Sequence, residues 1–217
     1  MIVYCATDPN YFNLYFDLWA AQMNQHYPDM HKIVAVYNPT AKIKEKCSQH
    51  SVELRTATLP NNPTRPHFYL LRWLNLPYDT NELILETQVN CLPVKTQHFE
   101  QSQSVEHLRI SRWKREKPGG VSAAVFTRSG AEKTVEQANR MLSDPPDSDH
   151  QINHWQAQNL TTDYSVTEQQ FKNTDSMLES STCWITAGTS QNYTATQKIE
   201  ILKHYLNKSA EGKMTDE

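Results

Sequence analysis

Four carboxylates, Glu82, Glu86, Asp147 and Asp149, fall near the ends of expected strands or in loops. Two carboxylates brought together can bind a divalent cation, with further oxygen ligands from side chains and phosphate. Such a cation offsets the negative charge of a diphosphate leaving group. Taken singly, each of these acids reads by default as a solvated surface group, so the chemistry depends on convergence. Most other familiar machinery is missing from the sequence. It has no glycine-rich loop ending in Lys-Ser/Thr, no HExxH and no GxSxG. Ser, His and Asp are plentiful, but no spacing picks out a triad. The four cysteines, Cys5, Cys47, Cys91 and Cys183, include no CxxC pair, which leaves a zinc knuckle or a thioredoxin-like motif unsupported. Cys5 and Cys91 adjoin apolar runs and read as buried thiols. One basic run, Arg109, Arg112, Lys114, Arg115 and Lys117 around Trp113, has the composition to hold phosphate or a nucleic-acid backbone. A solvated loop accounts for it better. Glu116 interrupts the run, and the formal net charge of −3 argues against a broad basic face.

The element that must position these groups is the stretch from Glu82 to Val94. Leu83 to Leu85 is a short apolar run between polar and turn-forming residues, which reads as a buried strand. At its carboxyl end Glu86, Gln88 and Asn90 alternate with Val89, Cys91 and Leu92. In an open α/β sheet, ligands bind at the carboxyl ends of strands, which directs the functional question to Glu86 and Gln88. Upstream, Ile2 to Ala6 reads as a first strand. Asp8 is a helix N-cap with Pro9 at the first helical position, and Phe12, Tyr15, Trp19 and Met23 recur at helical spacing. A second strand (His31 to Tyr37), a weak helix (41–50) and a third strand (51–58) follow. This alternation is what βαβ units produce, and it implies a parallel sheet. Arg65 closes a rigid Pro/Asn loop just ahead of a short amphipathic helix, Phe68 to Leu74.

In the second half, residues 95–107 form a polar tract without period. Gly119-Gly120 precedes a small-residue strand, Val121 to Phe126, which suggests either backbone in close approach to a ligand or to neighbouring backbone, or a plain turn. A helix spans Ser129 to Ser143. Asp149, His150, Gln151 and Asn153 crowd a polar loop ahead of Trp155, and Val166 to Lys172 has no clear pattern. A last strand reaches Gly188, and a closing helix runs from about Thr194 to Leu206. The expectation is one α/β domain over residues 1–206, with a polar, flexible tail at 207–217. With no signal-peptide pattern and no apolar run of membrane-spanning length, a cytoplasmic protein without a transmembrane segment is expected.

This order of segments resembles the nucleotide-sugar glycosyltransferases of the A-type fold, over roughly residues 1–206. Ile2 to Ala6 and the helix from Pro9 correspond to that family's first strand and helix. Arg65, Phe68 to Leu74 and Pro77-Tyr78-Asp79 resemble the passage into its central strand. That strand ends in Asp-x-Asp, whose carboxylates hold Mn²⁺ or Mg²⁺ against the donor diphosphate; here the residues are Glu86-Thr87-Gln88. Gly119-Gly120-Val121-Ser122-Ala123 resembles the strand beside the donor sugar. Asp149-His150-Gln151-Ile152-Asn153 resembles the stretch lining the acceptor or sugar site. Ile185-Thr186-Ala187-Gly188 keeps the glycine of a His-x-Gly motif, with Thr186 where the metal-binding histidine would stand.

The resemblance implies a single Rossmann-like α/β domain with a mostly parallel central sheet flanked by helices. It also implies a nucleoside-diphosphate hexose as donor and an acceptor the residues do not identify. Thr7, Asp8 and Arg65 would meet the base and ribose, and Glu86 and Gln88 the diphosphate. Gly119, Gly120, Asn153 and Gly188 would line the sugar. Asp149 would hold sugar hydroxyls or take the acceptor proton. Glu86 is the one charged metal ligand left of the family set, because Gln88 is a neutral amide. Three outcomes follow. The chain binds metal weakly through Glu86, it neutralises the diphosphate with Arg65 and the Arg109 to Lys117 run, or it keeps the fold as a binding or interaction module without transfer chemistry.

Overall fold

The computed structural model describes residues 1–99, 106–109, 123–147, 149–164, 167–171, 173–187 and 193–212. The first half builds strands β1 (Ile2–Thr7), β2 (His31–Tyr37), β3 (Glu53–Ala57) and β4 (Ile84–Thr87), separated by helices α1 (Pro9–His26), α2 (Ala41–Gln49) and α3 (Arg65–Leu74). The second half adds β5 (Cys91–Pro93), β6 (His107–Arg109), β7 (Ala123–Phe126), α4 (Arg128–Arg140), α5 (Asp149–Asn159), β8 (Thr162–Tyr164), β9 (Thr167–Phe171), β10 (Thr182–Ala187) and α6 (Ala195–Ala210).

A seven-stranded sheet runs in the order β3-β2-β1-β4-β7-β6-β8. β1 to β4 are mutually parallel, β7 is antiparallel to both β4 and β6, and β8 is parallel to β6. The sheet is mostly parallel and flanked by helices, as the sequence leads one to expect. A second, three-stranded sheet, β5-β10-β9, stands beside it.

Local chemistry explains the element starts. Asp8 accepts hydrogen bonds from the Asn10 and Tyr11 amides at 2.8 and 3.1 Å, which caps α1 ahead of Pro9. Thr40, Thr127 and Thr194 cap α2, α4 and α6 in the same way. Along α1, Phe12, Tyr15, Phe16, Trp19, Ala20 and Met23 recur at three- and four-residue steps and are all buried. Alternation along each strand divides the core in two. Val3, Cys5, Val34, Val36 and Leu85 join α1, α2 and α6 on one face of the sheet. Ile2, Tyr4, Ile33, Ala35 and Ile84 join α3, α4 and α5 on the other.

The structure departs from the sequence reading in several places. The stretch 82–94 is two strands rather than one. After Thr87 the chain turns, the Cys91 amide donates to the Gln88 carbonyl at 3.0 Å, and β5 leaves for the small sheet. Residues 149–153 open α5 instead of forming a loop. The patternless 167–171 segment is β9, paired in parallel with β10. Part of the polar tract 95–107 reaches β6, and β8 has no sequence signature. The closing helix continues past Leu206 to Ala210. Among the described residues no helix is long and apolar enough to cross a membrane.

Candidate functional site

Strand order reverses between β1 and β4. β2 and β3 lie to one side of β1, and β4 and β7 to the other. In an open α/β sheet the crevice outside the carboxyl ends of strands at such a reversal is where ligands bind. Tyr4 of β1 lies beside Glu86 of β4, so Thr7 and Gln88 emerge together at this edge. Asp8 follows Thr7 directly and is half-buried, with one oxygen committed to capping α1. The amino ends of α1 and α3 open on the same edge, because each follows a strand that ends there. Arg65 is the first residue of α3. It is exposed, and among the described residues it pairs with no carboxylate.

Period-two alternation decides what each residue of Glu86-Thr87-Gln88 meets. Thr87 faces α1, where it is fully buried and its hydroxyl accepts from Trp19 Nε1 at 2.8 Å. Glu86 faces α3 and is 0% exposed; Arg72 Nη2 donates to its Oε2 at 2.5 Å. The Arg72 guanidinium lies 4.0 Å over the Trp73 ring, and Arg72 is itself 6% exposed. Among the described residues, Arg72 Nε and Nη1, Tyr4 Oη and Trp73 Nε1 are buried without a hydrogen-bond partner. Burial, and next the Glu86 carboxylate, push the Tyr4 phenol well above its ordinary pKa. The same two causes, in the same order, push up the Cys5 thiol. Gln88, already beyond the strand, is half-exposed.

Of the site residues expected from sequence, the fold brings Thr7, Asp8, Glu86 and Gln88 to one strand edge, with Arg65 above it on α3. Asn153 lies fully buried on α5, one turn from the equally buried Gln156. Asp149 is the first residue of α5, and its side chain is outside the described residues. Gly119, Gly120, Gly188 and most of the Arg109 to Lys117 run also lie outside them.

Arg72 is the residue sequence reasoning missed. Its signal is an arginine set among Leu70, Leu71, Trp73 and Leu74, where burial of a charge demands a partner.

A divalent cation is a poor fit to this donor set. Glu86 carries its own buried cation, Gln88 is neutral, and Thr186 is buried at 4% exposure on β10. Among the described residues no three His, Cys, Asp or Glu side chains gather, so a cation here would depend on one or two carboxylates and on phosphate oxygens. The expectation of Glu86 as an open metal ligand therefore meets a carboxylate already engaged on the helix side of the sheet.

No protein-family model matches the sequence. No curated protein matches it either. In three dimensions the chain is similar to the galactosyltransferase LgtC solved in complex with donor and acceptor sugar analogs. Identity is 11%, the TM-score is 0.58, and the match covers 99% of this chain and 96% of that one. The fold is that of the A-type nucleotide-sugar glycosyltransferases. The apo form of the glycosyltransferase GlyE from Streptococcus pneumoniae is similar too, at 8% identity and TM-score 0.61, over 99% of this chain and 64% of that one. So is the bifunctional glycosyltransferase WbbM, at 8% identity and TM-score 0.57, over 94% of this chain and 44% of that one.

Proposed function

We propose that this chain binds a nucleoside-diphosphate hexose at the β1/β4 edge and transfers the hexose to an acceptor hydroxyl. The observation that carries the reading is the emergence of Thr7, Asp8 and Gln88 together at the strand-order reversal, in a fold similar over nearly its whole length to a transferase solved with donor and acceptor analogs. In this reading Thr7 and Asp8 meet the nucleoside, Arg65 and Gln88 the diphosphate, and Gly119, Gly120, Asn153 and Gly188 the sugar. The acceptor oxygen forms a bond to the anomeric carbon as the bond from that carbon to the diphosphate oxygen breaks. The leaving nucleoside diphosphate takes the electron pair, and the Asp149 carboxylate takes the acceptor proton. Interactions that strengthen on the departing phosphate are the ones that accelerate the step.

One observation favours a second reading, a binding or interaction module without transfer chemistry. The acid at the strand end, Glu86, is held by Arg72 inside the protein. Calorimetric titration with uridine and guanosine diphosphates and their hexose conjugates tests both readings, followed by chromatography for hexose released from a bound donor. Saturable binding with slow release supports the transferase. Binding without release over days supports the module, and no binding to any of them sinks the donor site for these ligands.

A further inference from the structure

We propose that the chain holds its donor diphosphate without a divalent cation, and that Arg65 is the charge that meets it. This rests on the donor-binding reading above. The argument starts at Glu86. Its carboxylate is fully buried on the α3 side of the sheet and engages Arg72 at 2.5 Å. To ligate a metal it would have to release Arg72, two of whose nitrogens, Nε and Nη1, already lack an acceptor among the described residues. The guanidinium would then be left buried without its counter-charge, and removing one member of a buried ion pair is strongly unfavourable. Sharing the carboxylate is no remedy. It would bring a divalent ion within a few ångströms of a fixed guanidinium in a site that screens charge poorly. The other carboxylate at this edge, Asp8, commits one oxygen to the cap of α1. Gln88 is an amide and Thr186 a hydroxyl, and among the described residues no group of three His, Cys, Asp or Glu side chains forms around Glu86 to offset that repulsion.

Arg65 has the complementary properties. Residues seven apart on a helix share a face, so Arg65 and Arg72 lie on one stripe of α3, about 10 Å apart along the axis. Arg72 points to Glu86 within the sheet. Arg65 stands two turns nearer the carboxyl edge of the strands, exposed and without a carboxylate partner among the described residues. Pro66 removes one amide donor from this helix start, which leaves a larger share of an anion contact to the guanidinium. A guanidinium matches two phosphate oxygens at once, which a point charge does not.

The test is titration of the full chain with uridine and guanosine diphosphates in EDTA and again in excess Mn²⁺, with Mn²⁺ electron paramagnetic resonance followed in parallel. The expected result is a dissociation constant that agrees within about twofold in the two buffers. Protein plus nucleotide should deplete the free-Mn²⁺ signal no more than nucleotide alone does. Arg65→Ala, an exposed change that leaves the circular dichroism spectrum intact, should weaken binding about tenfold or more in both buffers. Binding that requires Mn²⁺ and disappears in Glu86→Gln overturns the inference while leaving the donor-binding reading standing. Arg65→Ala without effect overturns the role of Arg65. Absence of binding in either buffer overturns both readings together.

Discussion

Replacing Arg72 with methionine isolates the buried pair at the strand end. The substitution keeps a side chain of similar length against Trp73 and removes the charge that Glu86 faces at 2.5 Å. Glu86 is 0% exposed, so no water replaces the lost partner in the native arrangement. Breaking a buried pair in this way costs about 3–5 kcal/mol, far more than the net worth of the pair. For a chain of this length about 1 kcal/mol moves the melting temperature by about 2–4 °C, which places the Arg72→Met variant about 6–20 °C below the parent. Glu86→Leu should cost a similar amount, because it strands Arg72 instead. The Arg72→Met/Glu86→Leu double variant removes both charges and should return most of the loss. A double-mutant cycle in guanidinium, read by far-ultraviolet circular dichroism, measures the difference. Single variants within about 1 kcal/mol of the parent, or a double variant as unstable as the sum of the singles, would refute the assignment of a buried, mutually dependent pair.

Four further outcomes follow from the same packing. Thr87→Val leaves the fully buried Trp19 indole N–H without its acceptor and should cost about 1–3 kcal/mol in urea, while Thr87→Ser keeps the bond and loses less. Gly130→Ala would put a Cβ 1.9 Å from the Glu106 carbonyl oxygen where α4 starts, so denaturant titration should find it destabilised by about 1–3 kcal/mol or more. Tyr4, Tyr15, Tyr27 and Tyr205 have phenols raised by burial, Tyr15 to about 12. Their folded values exceed their unfolded ones, so the stability they contribute is complete below the ordinary tyrosine value near 10 and is lost as the pH rises toward 12. The share of the phenolate absorbance that belongs to these four of the ten tyrosines should therefore appear only with alkaline unfolding, and ionisation of all ten in a folded chain would contradict this. Cys183 is the partly exposed thiol, while Cys5, Cys47 and Cys91 are buried with raised values, Cys47 to about 11. An aromatic disulfide reagent at pH near 8 should label Cys183 first and the others only on unfolding.

The parallel half of the fold was legible because its signals are local. The buried face of α1, the Asp8-Pro9 start and the apolar runs of β1, β2 and β4 each declare their element within a few residues. The same runs imply the strand edge and put Glu86 and Gln88 at the carboxyl end of its strand, whereas Thr7 and Asp8 were singled out through the resemblance. β6 and β8 are three residues each, too short to hold a period, and β9 takes its identity from pairing with β10. The partner of Glu86 was out of reach for a different reason. Alternation says that Glu86 and Thr87 face opposite sides of the sheet, but not that Arg72 crosses from α3 to one of them while Trp19 reaches the other from α1. Those are contacts between residues 14 and 68 positions apart, and only the assembled layers bring them together.

The turn at Gln88 to Asn90 has a consequence for how the crevice comes into being. It sends β5 out of the parallel sheet to pair with β10, Leu92 beside Ile185, across more than ninety residues of intervening chain. Pairings that close so long a loop form late, since the entropy of closure precedes any gain from contact. On a ribosome, where domains fold as the chain emerges, β1 to β4 can assemble while β10 is still unmade. The rim beyond β4 then stays unanchored until the last quarter of the chain arrives. The crevice is thus a product of complete synthesis: a nascent chain carrying Thr7, Asp8, Arg65 and Gln88 has the residues of the strand edge but not yet the strand that holds that edge in place.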